Sequence, residues 1–292
     1  MDHDQNFKNL VLDYPREALA FCAEAEARAI TPDVRITPVR EEQLKERLGE
    51  RFRELDIPLL VEWPDGRRAA LVFVIEEETD PARFSALRLA HYCLDIAELL
   101  QTRRVVPVVI FLRGGPNERR LELGSDETRY LDFHFIAVEL TTMPYQRWRD
   151  SANIVARVNL PNMRHQREER VQVFAAAMQG LIALEQDPEK RLKYTDFVEG
   201  YAALDEREYS RYQQQYPDEV EVMKTFSQRV REEGMQQGMQ QGEAMSLLRL
   251  MRHKFGDVPE DVRRRVESAE PATLSRWFDQ ALAAERLDDV LH

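Results

Sequence analysis

Residues 71–84 read LVFVIEEETDPARF, and three consecutive glutamates, Glu76, Glu77 and Glu78, close an apolar run rich in β-branched residues. Such a run is expected to be a strand buried on both faces. Carboxylates set side by side repel one another and raise one another's pKa unless water or a cation is near. These acids are therefore either solvated or held by something positive. Asp56 adds to the set, because it precedes a second apolar run, IPLLVEW, and Pro64-Asp65-Gly66 between the two runs has turn chemistry. A β-hairpin is expected over 56–78, with Asp56 and Glu76, twenty positions apart, together at its open end. Alternation along a strand turns Glu76 and Glu78 to one face and Glu77 to the other. Asp56, Glu76 and Glu78 would then offer converging oxygen donors to a hard divalent cation. Mg²⁺ is the natural choice, with Mn²⁺ as the alternative, since it keeps several waters and leaves room for phosphate. Such an ion polarises a phosphodiester and lowers the pKa of a bound water.

The elements that must hold these acids follow an α-β-β-α-β-β order. Asp4 to Ala29 reads as one helix with Phe7, Leu10, Val11, Leu19 and Phe21 on its apolar face, and TPDVRITPVR reads as an irregular connection. The polar stretch EEQLKERLGERFRELD suits a helix or a strand edge. After the hairpin, a helix is expected through TDPARFSALRLAHYCLDIAELLQ, with Asp80 as N-cap, Pro81 at its first position and an apolar face of Phe84, Leu87, Leu89, Cys93, Leu94, Ile96 and Leu100. Buried strands are expected at 105–112, ended by Gly114-Gly115-Pro116, and at 130–140. A helix between two buried strands implies a right-handed crossover and a partly parallel sheet. From 144 to 232 the pattern is helical, with Trp148, Val155, Val171, Phe174, Met178 and Leu181 on apolar faces. Gly234, Gly238 and Gly242 recur every four residues in EEGMQQGMQQGEAM, which reads either as a helix face built for close approach or as a linker. The last stretch reads as a separate three-helix unit, punctuated by Gly256, Pro259 and Pro271, with Trp277, Phe278 and Leu282 in its core.

Composition is that of a globular chain, 43% hydrophobic and 32% charged. No run approaches the roughly 18 apolar residues of a membrane span, and the N-terminus has no basic region followed by an apolar one, so no membrane association and a cytoplasmic location are expected. Cys22 and Cys93 fit a reducing compartment as small buried hydrophobes. The net charge of −12 is a poor global match to nucleic acid, which would need a local basic groove. Neither a serine-nucleophile setting nor a glycine-rich phosphate loop is present. The histidines show no paired ligand spacing, and His91 is expected to be packed or hydrogen-bonded. Paired carboxylates also serve glycosidases, but no aromatic platform clusters near them.

An acid before a hairpin, E-x-E at its end, then a helix and a buried strand resembles the PD-(D/E)xK nuclease superfamily. Within it, HDQNFKNLV, VIEEETDPARFSALRLAHYCLDI, VVPVVIFLRGG and the glycine repeat are similar to the recombination-promoting nuclease, transposase-like family of bacteria. The C-terminal stretch resembles a small helical domain often appended to these proteins. The resemblance implies a restriction-endonuclease-like mixed α/β sheet flanked by helices over 1–142, a helical extension over 143–232, the glycine-repeat helix or linker over 233–244 and a helical domain over 245–292. It implies metal-dependent endonucleolytic cleavage of DNA. Asp56, Glu76 and Glu78 would be the catalytic acids, and the same three, with the Glu77 carbonyl, the metal ligands. Glu78 stands where the family's usual lysine or glutamine would, and an ionised glutamate cannot donate a hydrogen bond, so it would act through the metal. Lys8, Arg83 and Arg88 are candidate DNA contacts, and Asp4 and Lys8, or else Glu17, could approach the site from the first helix. The opposing reading is a catalytically inactive relic of the same fold that serves as an interaction module. In either case the C-terminal helices could support a homo-oligomer.

Overall fold

A computed structural model describes residues 3–39, 57–76, 84–116 and 118–291 of the 292-residue chain. They form two compact units, Met1–Val220 and Glu221–His292.

The first unit opens with three helices where one was expected: α1 (His3–Asp13), α2 (Pro15–Cys22) and α3 (Glu24–Ala27). Pro15 has no N–H to continue the ladder and forces the residue before it out of helical geometry; Tyr14 sits at φ −135°, ψ 59°. The apolar positions survive the breaks, and Phe7, Leu10, Val11, Leu19 and Phe21 are all buried.

The strands among the described residues are β1 (Arg35–Pro38), β2 (Ile57–Glu62), β3 (Arg68–Glu76), β4 (Val105–Phe111), β5 (Arg120–Gly124), β6 (Arg129–His134) and β7 (Ile136–Glu139). Five form a mixed sheet in the order β1-β2-β3-β4-β7, and β5 pairs with β6 in a separate ribbon. The expected hairpin is β2–β3, antiparallel, with Ile57 opposite Phe73 and Glu62 opposite Arg68. Gly66 takes φ +83° in its turn, a conformation that only glycine adopts freely. β3, β4 and β7 run parallel. A parallel neighbour needs a crossover, and helix α4 (Ala86–Leu99) supplies it between β3 and β4.

Several sequence expectations are corrected here. The segment TPDVRITPVR is not wholly irregular, because Arg35–Pro38 pairs with β2 as an edge strand, a position where proline can turn its missing N–H away from the ladder. Residues 130–140 are not one strand. They change sheets at Phe135, from the ribbon to β7. Helix α4 begins after Ser85, whose Oγ accepts from the Arg88 N–H at 3.3 Å, which makes Ser85 its N-cap; Asp80 and Pro81, expected to start it, lie outside the described residues. Its buried face is Leu89, Ala90, Tyr92, Cys93 and Ile96, whereas Leu87 and Leu94 are exposed.

The core lies on both sides of the sheet. Ala70 and Val72 pack with Tyr92 and Ile96 of α4, and Val109 and Phe111 with Leu89, Cys93 and Phe135. Leu71, on the opposite face by alternation, is equally buried, and α1 packs on β2 and β3. The helices after the sheet are α5 (Ile154–Val158), α6 (Arg170–Leu184), α7 (Pro188–Ala202) and α8 (Glu206–Gln215). α6 packs on α5, α7 and α8, and α5 packs on α2. The Tyr194 hydroxyl and Lys193 ammonium of α7 donate to Asp13 at the end of α1, at 2.6 and 2.8 Å.

The backbone of helix α9 (Pro217–Phe255) runs unbroken through the glycine repeat. In the second unit Gly256, at φ +87°, turns the chain towards α10 (Glu260–Glu267) and α11 (Pro271–Ala283). Their core holds Leu247, Met251, Val266, Leu274, Trp277 and Ala281, with Phe278 packed against it. Leu282, expected inside, is exposed. Lys254 donates to the carbonyls of Ala281 and Leu282 at 3.0 and 2.6 Å, satisfying acceptors that the end of α11 leaves open.

Candidate functional site

Glu76 is the last residue of β3, the central strand of the five. It lies opposite Phe111 of β4, and Phe111 lies opposite Glu139 of β7. The three parallel strands therefore end on one row, Glu76–Phe111–Glu139. With about 4.8 Å between neighbouring strands, the backbones of the two glutamates stand roughly 10 Å apart. This row is the carboxyl end of the parallel strands, where open α/β sheets bind their ligands.

Of the remaining sequence-designated acids, Asp56, Glu77 and Glu78 lie outside the described residues, as does Arg83. Asp56 immediately precedes β2 in sequence, and Glu77 follows β3. The hairpin register puts the start of β2, at Ile57, opposite Phe73, three residues before the end of β3. Among the described residues no group of three or more His, Cys, Asp or Glu forms a metal-ligating cluster. The donor set named from the sequence is all carboxylate and carbonyl oxygen, which suits a hard cation. Arg88 is exposed in the first turn of α4 and is engaged by neighbouring groups. Lys8 is buried in α1 at 9% exposure, which leaves little of it for a phosphate. His91 is exposed rather than packed. Both cysteines are buried, and burial pushes the Cys22 thiol up to about 12.

Two residues that the sequence reading passed over belong to this end of the sheet. Glu139 keeps only 16% of its side chain exposed and forms an ion pair with Arg119, which is 65% exposed. The turn after β4 folds over that carboxylate so closely that a Cβ on Gly115 would collide with it. Glu139 carries the same signal that singled out Glu76, an apolar strand (IAVEL beside VFVIE) closed by an acid. The signal was hidden because β6 and β7 read as one strand.

No protein-family model, no curated protein and no solved structure matches the chain. No helix among the described residues is long and apolar enough to cross a membrane.

Proposed function

We propose that the protein is a metal-dependent DNA endonuclease of the PD-(D/E)xK type, with a restriction-endonuclease-like core and kinship to the recombination-promoting, transposase-like nucleases. The observation that carries the reading is topological. An antiparallel hairpin ends in Glu76 on the central strand, and a helix then crosses to a parallel strand. This is the order of elements in which the resembled family presents its acids. Asp56, Glu76 and Glu78, with the Glu77 carbonyl, would hold Mg²⁺ or Mn²⁺. When bound, such an ion supplies charge stabilisation to a phosphodiester and acidifies a water. The chain's own part is to set Glu76 at the mouth of a sheet whose core, Val108 to Leu112 included, is sealed from water. That buried support would fix the backbone at Glu76, and positioning is the main contribution a protein makes to a displacement at phosphorus.

The test is conversion of supercoiled plasmid by purified protein in Mg²⁺ and in Mn²⁺, beside Glu76→Ala and a chelator control. Nicking that disappears in both controls is the expected result. A folded protein that cuts in neither metal, and whose melting temperature no metal raises, would instead be a non-catalytic module on the same fold.

A further inference from the structure

Two arginines stand at the end of the sheet where the parallel strands finish. Arg113 lies two residues beyond Phe111, on the turn leaving β4; it is exposed and has no ion pair among the described residues. Arg119 precedes β5, and its guanidinium is held by the mostly buried carboxylate of Glu139. An ion pair with one partner this exposed adds little to stability. It still biases a long side chain towards Glu139 and leaves the remaining N–H donors of the planar fork at the surface. Such a fork matches the two free oxygens of a phosphodiester. Gly115 contributes by lacking a Cβ, since any larger residue would push the Glu139 carboxylate aside.

We propose that Arg119, positioned by Glu139 and assisted by Arg113, contacts the nucleic-acid backbone beside the Glu76 strand end. This rests on the nuclease reading and adds to it the local positive surface that a chain of net charge −12 must supply somewhere. Glu139 is a positioning residue in this scheme, because it acts through Arg119.

The discriminating measurement is equilibrium binding of a short fluorescein-labelled DNA duplex by anisotropy, in Ca²⁺ with the duplex checked for integrity, across a salt series. Each phosphate contact contributes about 0.9 to the slope of log K against log salt. Arg119→Gln should flatten that slope by about one contact. Over a fourfold rise in salt the variant then loses about threefold less affinity than wild type. Arg119→Lys should keep the slope, and Arg113→Gln should flatten it independently. Glu139→Gln leaves the arginine's charge in place, so it should keep the slope and weaken binding. A purely structural role would move none of these slopes. If wild type binds with a salt slope that Arg119→Gln and Arg113→Gln both leave unchanged, the inference is overturned and the nuclease reading stands. If wild type neither binds nor nicks DNA, the nuclease reading fails and this inference with it. Should Arg119→Gln not fold, Arg119→Lys and Arg113→Gln carry the test alone.

Discussion

Asp13 shows how a single charged residue is held in this fold. Its carboxylate is three-quarters covered, with side-chain exposure of 25%, and lies at the junction of α1 and α7. Burial alone would raise its pKa, but hydrogen bonds from Lys193 and Tyr194 outweigh that and hold it below the ordinary aspartate value. The Tyr194 ring is almost fully buried, so its hydroxyl needs this acceptor. The sign of the linkage follows. A carboxyl whose pKa is depressed by folding contributes stability above its unfolded pKa, and that contribution is lost as pH falls through the folded value. Glu219 has the opposite sign, because burial raises it, so its contribution is greatest in acid and is lost as pH rises from the ordinary glutamate value to the raised one. Asp13→Asn is expected to cost about 1.5–3 kcal/mol near neutral pH, the range for hydrogen bonds to a charged group. Urea unfolding at about pH 7 and about pH 3 checks this. The variant should show a smaller loss between the two than wild type, and an unchanged acid limb would remove Asp13 from the account.

At the scale of the element, glycine in helices separates two cases. Gly242 lies in α9, and a Cβ built there meets nothing within 4 Å. Glycine inside a helix costs about 1 kcal/mol against alanine, so Gly242→Ala should raise the melting temperature of the second unit, by about 0.5–1 kcal/mol in stability. If thermal melts show destabilisation, or size-exclusion shows a changed assembly state, the glycine serves an approach by another chain. Gly180 in α6 is the reverse case. A Cβ there would lie 2.7 Å from Arg157 Cβ and 2.8 Å from its Cζ, so Gly180→Ala should destabilise by about 1–3 kcal/mol through overpacking. The same contrast between local and distant causes governs what was legible in the sequence. The β2–β3 hairpin could be read, because Pro64-Asp65-Gly66 and its flanking apolar runs carry their own turn chemistry. The crossover and its parallel neighbour could be read, because a helix separates two buried runs. The edge strand β1 could not, since four residues ending in proline have no pattern until β2 is beside them. Nor could the change of sheet at Phe135, because the alternating RYLDFH and the continuous IAVE both read as strand. Their separation depends on which partner each finds. Of the candidate site, Glu76 was legible as a strand-end acid, whereas Glu139 and Arg119 became visible only when the register placed β7 beside β4.

At the scale of the whole molecule, the division at Val220 and Glu221 makes stability a property of two bodies. The second holds 72 residues (292 − 220), a size at which one small core supplies only about 4–11 kcal/mol. Leu247 is fully buried at the centre of that core. Leu247→Ala removes its side chain and leaves a cavity, a change that costs about 2–5 kcal/mol and so a large share of what the unit has. The expected result is an earlier thermal transition belonging to the second unit, with loss of hydrogen-exchange protection in α10 and α11. Amides of β3 and β4 should keep theirs, because their burial against α4 involves none of the substituted contacts. The proposed nicking activity, which lives at the end of the sheet, should survive at temperatures between the two transitions. If protection falls in β4 to the same degree and at the same temperature as in α11, the units unfold as one cooperative body. Activity lost with protection in β4 intact would instead give the C-terminal helices a direct part in handling the substrate.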